Sequence, residues 1–418
     1  MNPKLKVGIC GWGNVATGLF EQLTKSSNEQ AFELVCIGAR RDNPNCDPGD
    51  ITIHRDIFEV TDQDIDVLIE LIGGTDTARD LISKALNAGK HVITANKAVM
   101  YEHGNELINL AIKNNVHLMF EAAVCAGTPI IKMLSNDLGA NQATKISGML
   151  NGTTNYILSN MEQGIAYEVA LEEAKEKGYA EPDPSLDVNG TDAAHKIGIL
   201  ASLALNSNLP AGNFHIEGIE NITAKDFHYA NEFNLTIKHL AVTKQAGDEI
   251  ELRSHPVLID KNSSLGGLSG VRNGIQIDTD LLGEFLIAGS GAGRESTASG
   301  LISDLIALSK HASSTPMHYP HFKDMPKIKS FESLDFSYYV YLEVQDQAGV
   351  LALVSQIFSD NEISIDSIKK YGPRVYASQN RAVTADDYEA LIPTVFPETE
   401  AISCYGGEEL SPPRYGRV

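Results

Sequence analysis

The chain is 418 residues long, 43% hydrophobic and 21% charged, with 33 Lys and Arg against 55 Asp and Glu, a formal net charge of −22. That length predicts two or three domains, and the acidic balance excludes phosphate backbones and anionic lipid surfaces as natural partners: no nucleic acid, no membrane. No apolar run approaches the roughly 20 residues that span a bilayer, and MNPKLKVGICGWG enters a strand and turn rather than a signal peptide, so a cytoplasmic location is expected.

The first third alternates short apolar strands with helical patterns, which predicts a parallel sheet with crossover helices. KVGIC is a predicted strand and TGLFEQLTKS the helix behind it. FELVCIGA and DVLIELIG are further strands, ARDLISKALNAG is a helix closed by glycine, and HVITAN is another strand. ELINLAIKNN and HLMFEAAV repeat the helix–strand alternation. From about residue 140 the pattern changes to a mixed α+β domain. ATKISGMLNGT, IELRSHPVLI and GIQIDT are expected as strands, and VALEEAKEKG, AAHKIGILASLAL and NEFNLTIKHLAV as long helices. FLIAGSGAG predicts a strand and glycine turn before the helix TASGLISDLIALSKH, which can return to the first domain. A linker rich in Pro, His and Lys follows; its His318 and His321 are read as linker residues rather than a metal site. YYVYLEVQDQAGVLALVSQIFSDNEISIDSIKKY then reads as strand, turn, helix and strand, and ELSPPRYGRV has the composition of a disordered end. The five cysteines are scattered, with no C-x-x-C pair, and read as reduced structural thiols.

GICGWGNVATG meets the G-x-G-x-x-G/A form through Gly11, Gly13 and Ala16, directly after a strand and at a helix start. Gly11 permits the tight turn, Gly13 lets a pyrophosphate approach the backbone, and Ala16 lets helix and strand pack closely. The phosphates would rest on amide groups of this loop, which also carries Trp12, Asn14 and Val15. The second strand ends in GARRD, where Arg40, beside Arg41, suits a ribose 2′-phosphate and favours NADP. Asp42, two residues on, is the carboxylate that keeps NAD as the alternative.

Lys97, in TANKAVM, follows a buried strand and so stands at the carboxyl edge of the sheet, where such folds bind ligands. Its bland reading is a surface lysine capping a strand. Asp192 and Lys196, four apart on a predicted helix, share a face. An exposed pair of that kind is worth only a few tenths of a kcal/mol. Lys196, however, lies inside an otherwise apolar helix, surroundings that lower an ammonium pKa toward working pH and suit it to protonate a developing alkoxide. Upstream, in GYAEPDPSLDVNG, prolines hold Glu181 and Asp187 on an extended loop, where they can receive a substrate ammonium or orient the lysine.

ELIGG, GKHVITANKAV, FEAAVCAGTPIIK, LNGTTNYIL, GYAEPDPSLDVNGTDAAHK and GSGAGRESTAS, in that order over residues 5 to about 312, make the chain resemble homoserine dehydrogenases. The resemblance implies reversible NAD(P)H-dependent reduction of L-aspartate 4-semialdehyde to L-homoserine, on the route to threonine, methionine and isoleucine. It implies Lys196 as general acid, Lys97 as the lysine that polarises the reacting group beside the cofactor, and Asp187 as support for the catalytic lysine. Glu181 and Asp192 would bind the amino-acid head, with Gly178 at the pocket edge. Backbone carbonyls of Glu121, Val124, Ala126 and Thr128 would hold a monovalent cation, sodium or potassium, and Gly291 and Gly293 form a late glycine turn at the cofactor.

The C-terminal module resembles an ACT domain, a ferredoxin-like unit, through VQDQAGVLALVSQIFSDNEISIDSI, with Asp346 and Gly349 in its turn. It implies an amino-acid effector such as threonine and a homodimer or homotetramer. The resemblance fades after Lys370, where RVYASQNRAVTADDYEALI is short for the remaining elements. The expected architecture is α/β: a Rossmann-type parallel-sheet domain over 1–135 with about 290–315 returning, then an α+β substrate-binding and dimerisation domain over 136–289. A linker over 316–334, the ACT-like domain over 335–407 and a tail over 408–418 complete it. Two alternatives stand beside this reading: another semialdehyde oxidoreductase, or a non-catalytic sensor of nucleotide and amino acid. An acylating enzyme would need a nucleophilic cysteine, and Cys125, the one candidate, falls in the loop assigned to the cation.

Overall fold

The computed structural model describes residues 4–25, 31–210, 214–311 and 323–334, with most of 336–361. These fall into two units, Met1–Phe336 and Ser337–Val418. In the first, β1 (Leu5–Cys10), β2 (Phe32–Gly38), β3 (Thr52–His54), β4 (Val67–Glu70), β5 (His91–Thr94) and β6 (Leu118–Met119) form a parallel sheet in the order β3-β2-β1-β4-β5-β6. Parallel neighbours require long crossovers, and α1 (Asn14–Leu23), α2 (Asp76–Asn87) and α3 (Lys97–Lys113) occur among them. The strand order reverses between β1 and β4, which is where open α/β sheets leave a ligand crevice.

One expected strand is shorter than its apolar run. HLMFEAAV yields only β6, followed by a 3-10 turn at Glu121–Ala123. The cause is Glu121, whose buried carboxylate accepts the amides of Ile131 and Lys132 at 2.8 and 2.9 Å and so caps the single turn α4 (Ile130–Lys132).

The second sheet contains β7 (Ala143–Met149), β8 (His215–Ile216), β9 (Leu235–Ala246), β10 (Glu249–Asp260), β11 (Arg272–Thr279), β12 (Glu284–Ser290) and β13 (Lys327–Ile328). Its main order is β12-β11-β7-β9-β10-β13, antiparallel except where β13 and β8 join β10 in parallel. The helices associated with it are α5 (Gly152–Glu162), α6 (Tyr167–Glu176), the short α7 (Ser185–Val188), α8 (Thr191–Leu205) and α9 (Ala224–Glu232). NEFNLTIKHLAV is not one helix: α9 ends at Glu232 and β9 begins at Leu235. Thr236 to Thr243 are all buried, so the strand lacks the in–out alternation that would have marked it.

Two cores fix the arrangement. On one face of the parallel sheet, Leu19 of α1 packs with Val7, Ile9 and Ile69 and with Ala298, Leu301, Leu305 and Leu308 of α10 (Arg294–His311). On the other, Leu81, Leu107 and Ile108 join a continuous core with Ile197 and Leu200 of α8 and Ile250 and Leu252 of β10. Helix α8 therefore lies against both α3 and the second sheet.

In the second unit α11 (Val350–Asp360) follows a left-handed Gly349. The expected strand YYVYLEV is absent among its described residues, which carry no regular structure before the helix. Asp346, His318, His321, Cys404 and the stretch from residue 362 lie outside the described residues. Among the described residues no helix is long and apolar enough to cross a membrane.

Candidate active site

The loop after β1 is shaped by two glycines with different demands. Gly11 has φ +102°, and a Cβ there would sit 2.4 Å from the Leu71 carbonyl oxygen. Gly13 precedes α1 with nothing within 4 Å of where its Cβ would point. The first glycine lets the chain turn against β4; the second leaves the helix N-terminus open to a pyrophosphate. These residues fit a dinucleotide. Asn14 is exposed and Val15 half-buried, while Trp12 turns into the core, donating to the Cys46 carbonyl at 3.3 Å and meeting Phe20 edge-on. Trp12 therefore offers a ligand its backbone rather than its ring. Arg40 is exposed at the end of β2, and Asp42 is paired with Arg55 at 2.6 Å.

The β4 and β5 ends set the position of Lys97. Glu70, fully buried at the last position of β4, accepts from the Ile72 amide at 2.8 Å and from the Thr94 hydroxyl at 2.5 Å. Burial raises its pKa against these hydrogen bonds. Thr94 in turn accepts the Asn96 amide at 3.0 Å, and Asn96 caps α3 by accepting from Val99 at 3.1 Å while donating to the Gly74 carbonyl at 2.7 Å. Lys97 is thus the first residue of α3, held by a chain of bonds running from β4.

Lys97 reaches across to α8. Its Nζ lies 2.7 Å from Oδ1 of Asp192, while Lys196 Nζ lies 2.7 Å from Oδ2 of the same carboxylate. Lys196 also donates to the Leu150 carbonyl at 2.7 Å. Asp192 and Lys196 are 4% and 8% exposed, whereas the Lys97 side chain is 37% exposed and is the solvent-facing member. Burial opposes the charge on Asp192, but Lys196 and Lys97 outweigh it and hold the carboxyl well below its usual range. The expected lowering of Lys196 is reversed. Burial does push its ammonium down, yet the charge and hydrogen bond of Asp192 more than cancel that, and the pKa is raised.

Asn151 completes the cluster. Its Nδ2 donates to Asp187 Oδ1 at 2.7 Å and to Asp192 Oδ2 at 2.9 Å. Asp187 is linked to Asp192 through this amide, and it is Asp192 that touches both lysines. Burial raises the Asp187 pKa, the Asn151 bond opposes the rise, and the charge of Asp192 adds to it. Glu181 and Gly178 lie exposed on the loop between α6 and α7, Gly178 with φ +70°. Thr153 ties that loop to the start of α5 by donating to the Tyr179 carbonyl at 2.7 Å.

A third set of contacts arrives from β11 and the late glycine turn. Asn273, 1% exposed, donates to the same Leu150 carbonyl at 2.9 Å and to Cys125 Sγ at 3.3 Å. A Cβ on Gly291 would lie 2.1 Å from the Asn273 amide, so only glycine fits there. Gly293 takes φ +108° just before α10. An open cleft beside it is lined by Gly127, Thr128, Ser290, Gly293 and Ser296 among others, and does not include the two lysines. Cys125 is fully buried, and burial raises its thiol pKa, which suits a packed thiol rather than a nucleophile. Cys125 and Ala126 both take left-handed backbone, and the Glu121 and Thr128 carbonyls already accept local amides from Val124 and Ile130.

Sequence reasoning singled out both lysines, Asp187 and Asp192. It missed Glu70, Asn151 and Asn273, although ELIGG and LNGTTNYIL contain the first two. Each acts by hydrogen-bond geometry across elements, which leaves no local pattern.

Two homoserine dehydrogenase family models match the chain: "Homoserine dehydrogenase, NAD binding domain" over residues 11–121 and "Homoserine dehydrogenase" over residues 129–306. A homoserine dehydrogenase of Pseudomonas aeruginosa is 42% identical over 383 residues, 88% of each chain. The chain belongs to the homoserine dehydrogenase family. The solved homoserine dehydrogenase from Thiobacillus denitrificans is 35% identical, with a TM-score of 0.80 over 88% of this chain and 89% of that one. A hyperthermophilic archaeal homoserine dehydrogenase in complex with NADPH is 28% identical, with a TM-score of 0.64 over 76% of this chain and all of that one. Residues 384–418 match a third model, "Baseplate structural protein gp6, C-terminal domain I", and lie outside the described residues. As a homoserine dehydrogenase the chain is an NAD(P)-dependent oxidoreductase with a Rossmann-like domain.

Proposed function

We propose that the chain reversibly reduces L-aspartate 4-semialdehyde to L-homoserine in the biosynthesis of threonine, methionine and isoleucine, with Lys196 as the proton donor. The observation that carries this is one buried carboxylate, Asp192, shared by Lys97 and Lys196 at 2.7 Å each. Gly11, Gly13, Asn14, Val15 and the Gly291–Gly293 turn would hold NADPH, which would supply the hydride for C4 of the aldehyde. Lys196, kept protonated by Asp192, delivers its proton to the C4 oxygen as the carbonyl becomes an alcohol, and regains a proton from solvent. Lys97, the more exposed ammonium, polarises that oxygen. Asp192 is committed to the lysines, which leaves Glu181 and Asp187, beside Gly178, to receive the substrate's ammonium group.

Arg40, free of the ion pair that occupies Asp42, supports NADP over NAD. The left-handed turn at Cys125 and Ala126 supports a monovalent cation on the carbonyls of Glu121, Val124, Ala126 and Thr128, in an organising role. A cytoplasmic homodimer or homotetramer, with an ACT-like C-terminal module that binds threonine, completes the reading. NADP- and NAD-dependent oxidation of L-homoserine, assayed with and without threonine, tests it. Turnover with NADP above NAD, suppressed by threonine, is expected; no turnover with either cofactor in a folded protein would refute the assignment.

A further inference from the structure

Asn151 stands where α5 begins, 5% exposed, with every hydrogen-bonding group of its side chain engaged. Its Oδ1 accepts the Thr154 amide at 2.8 Å, which is an ordinary helix N-cap. The two Nδ2 bonds, to Asp187 at 2.7 Å and Asp192 at 2.9 Å, contribute nothing to the helix. They join carboxylates from α7 and α8 that would otherwise repel across a half-buried space. The charged groups that act on Asp187 are Asp192 and Lys196 from α8 and Lys97 from α3. Among the described residues its side-chain hydrogen bond comes from Asn151.

We propose that Asn151 is a positioning residue for the reaction assigned above, setting the spacing of the Asp187 and Asp192 carboxylates and orienting Asp187 toward the substrate's ammonium. The inference rests on that functional reading. Its logic is electrostatic. Burial already lifts Asp187, so removing the amide raises it further toward the working range, and the ammonium site is then neutralised as pH falls.

Asn151→Ser separates the two duties of the side chain, because serine caps a helix about as well as asparagine but is too short to bridge the carboxylates. Asn151→Asp also keeps the cap and places a third carboxylate against the other two. For N151S the expected result is a folded protein whose thermal midpoint falls by a few degrees at neutral pH, as the loss of two hydrogen bonds to carboxylates requires. Its KM for L-homoserine at pH 7 should rise about tenfold, and the acidic limb of kcat/KM should move up by about one pH unit. N151D should move the limb further in the same direction. A folded N151S or N151D whose KM and acidic limb match the wild type would overturn the proposal, as would a uniform loss of rate with the limb unmoved. Wild-type protein is assayed alongside, and its failure to oxidise L-homoserine would instead overturn the functional reading beneath it.

Discussion

Lys196 holds its charge in a place where burial alone would remove it. Two consequences follow from the Asp192 carboxylate that makes this so. In the direction of aldehyde reduction the lysine is already protonated at neutral pH, whereas homoserine oxidation needs it neutral. The raised pKa therefore predicts oxidation rates that still climb at pH 9, and Asp192→Asn should bring that limb down. The same substitution leaves a buried ammonium without its counterion and should cost about 3–5 kcal/mol at pH 7, read by urea unfolding. Asp192 is depressed in the folded state, so its contribution is full above the unfolded pKa near 4 and fades as pH falls below it; the gap between variant and wild type should narrow in acid. Lys196→Ala should lower kcat by about 10²–10⁴-fold with NADPH affinity unchanged in a fluorescence titration. The four-residue spacing of Asp192 and Lys196 was readable in the sequence. The sign of the lysine's shift was not, because it is a balance between burial, which packing of α8 against α3 and the second sheet sets, and the contact with Asp192.

At the level of elements, the glycine loop and the strand–helix alternation were legible because each is a local demand: a backbone turn, or an apolar strip of fixed period. Gly11 tests the first. With φ +102° and the Leu71 carbonyl 2.4 Å from a Cβ, Gly11→Ala must displace β1 from β4. The expected outcome is loss of NADPH binding by calorimetry and destabilisation of about 1–3 kcal/mol or more. Strand β9 shows where local reading stops. Lys238 and His239 are buried within it, Lys238 donating to the Leu268 carbonyl at 2.7 Å and His239 Nε2 lying 2.9 Å from the Glu217 carbonyl. Buried polar residues interleaved with apolar ones erase the period-two signal, and a strand then resembles the helix before it. Helix α8 was found correctly, yet its placement against both α3 and the second sheet, which brings the two lysines together, is a product of packing and not of its own sequence.

For the whole molecule, the division after Phe336 makes a simple prediction. A chain ending there contains every residue placed in the proposed site, so it should oxidise homoserine at a rate within a few-fold of the full chain while losing any response to amino acids. Steady-state assays of the two forms, with and without threonine, decide this; an inactive but folded short form would tie the C-terminal unit to catalysis itself. Helix α10 carries a different consequence. It covers Val7, Ile9, Leu19 and Ile69, residues made early, with leucines made about 230 to 300 positions later. At 5–20 residues per second, a ribosome leaves the part of that face not covered by α1 exposed for roughly 12 seconds or more. Nascent chains of this protein are thus sticky for most of their synthesis, and a chain stalled before Arg294 is one for a chaperone to hold.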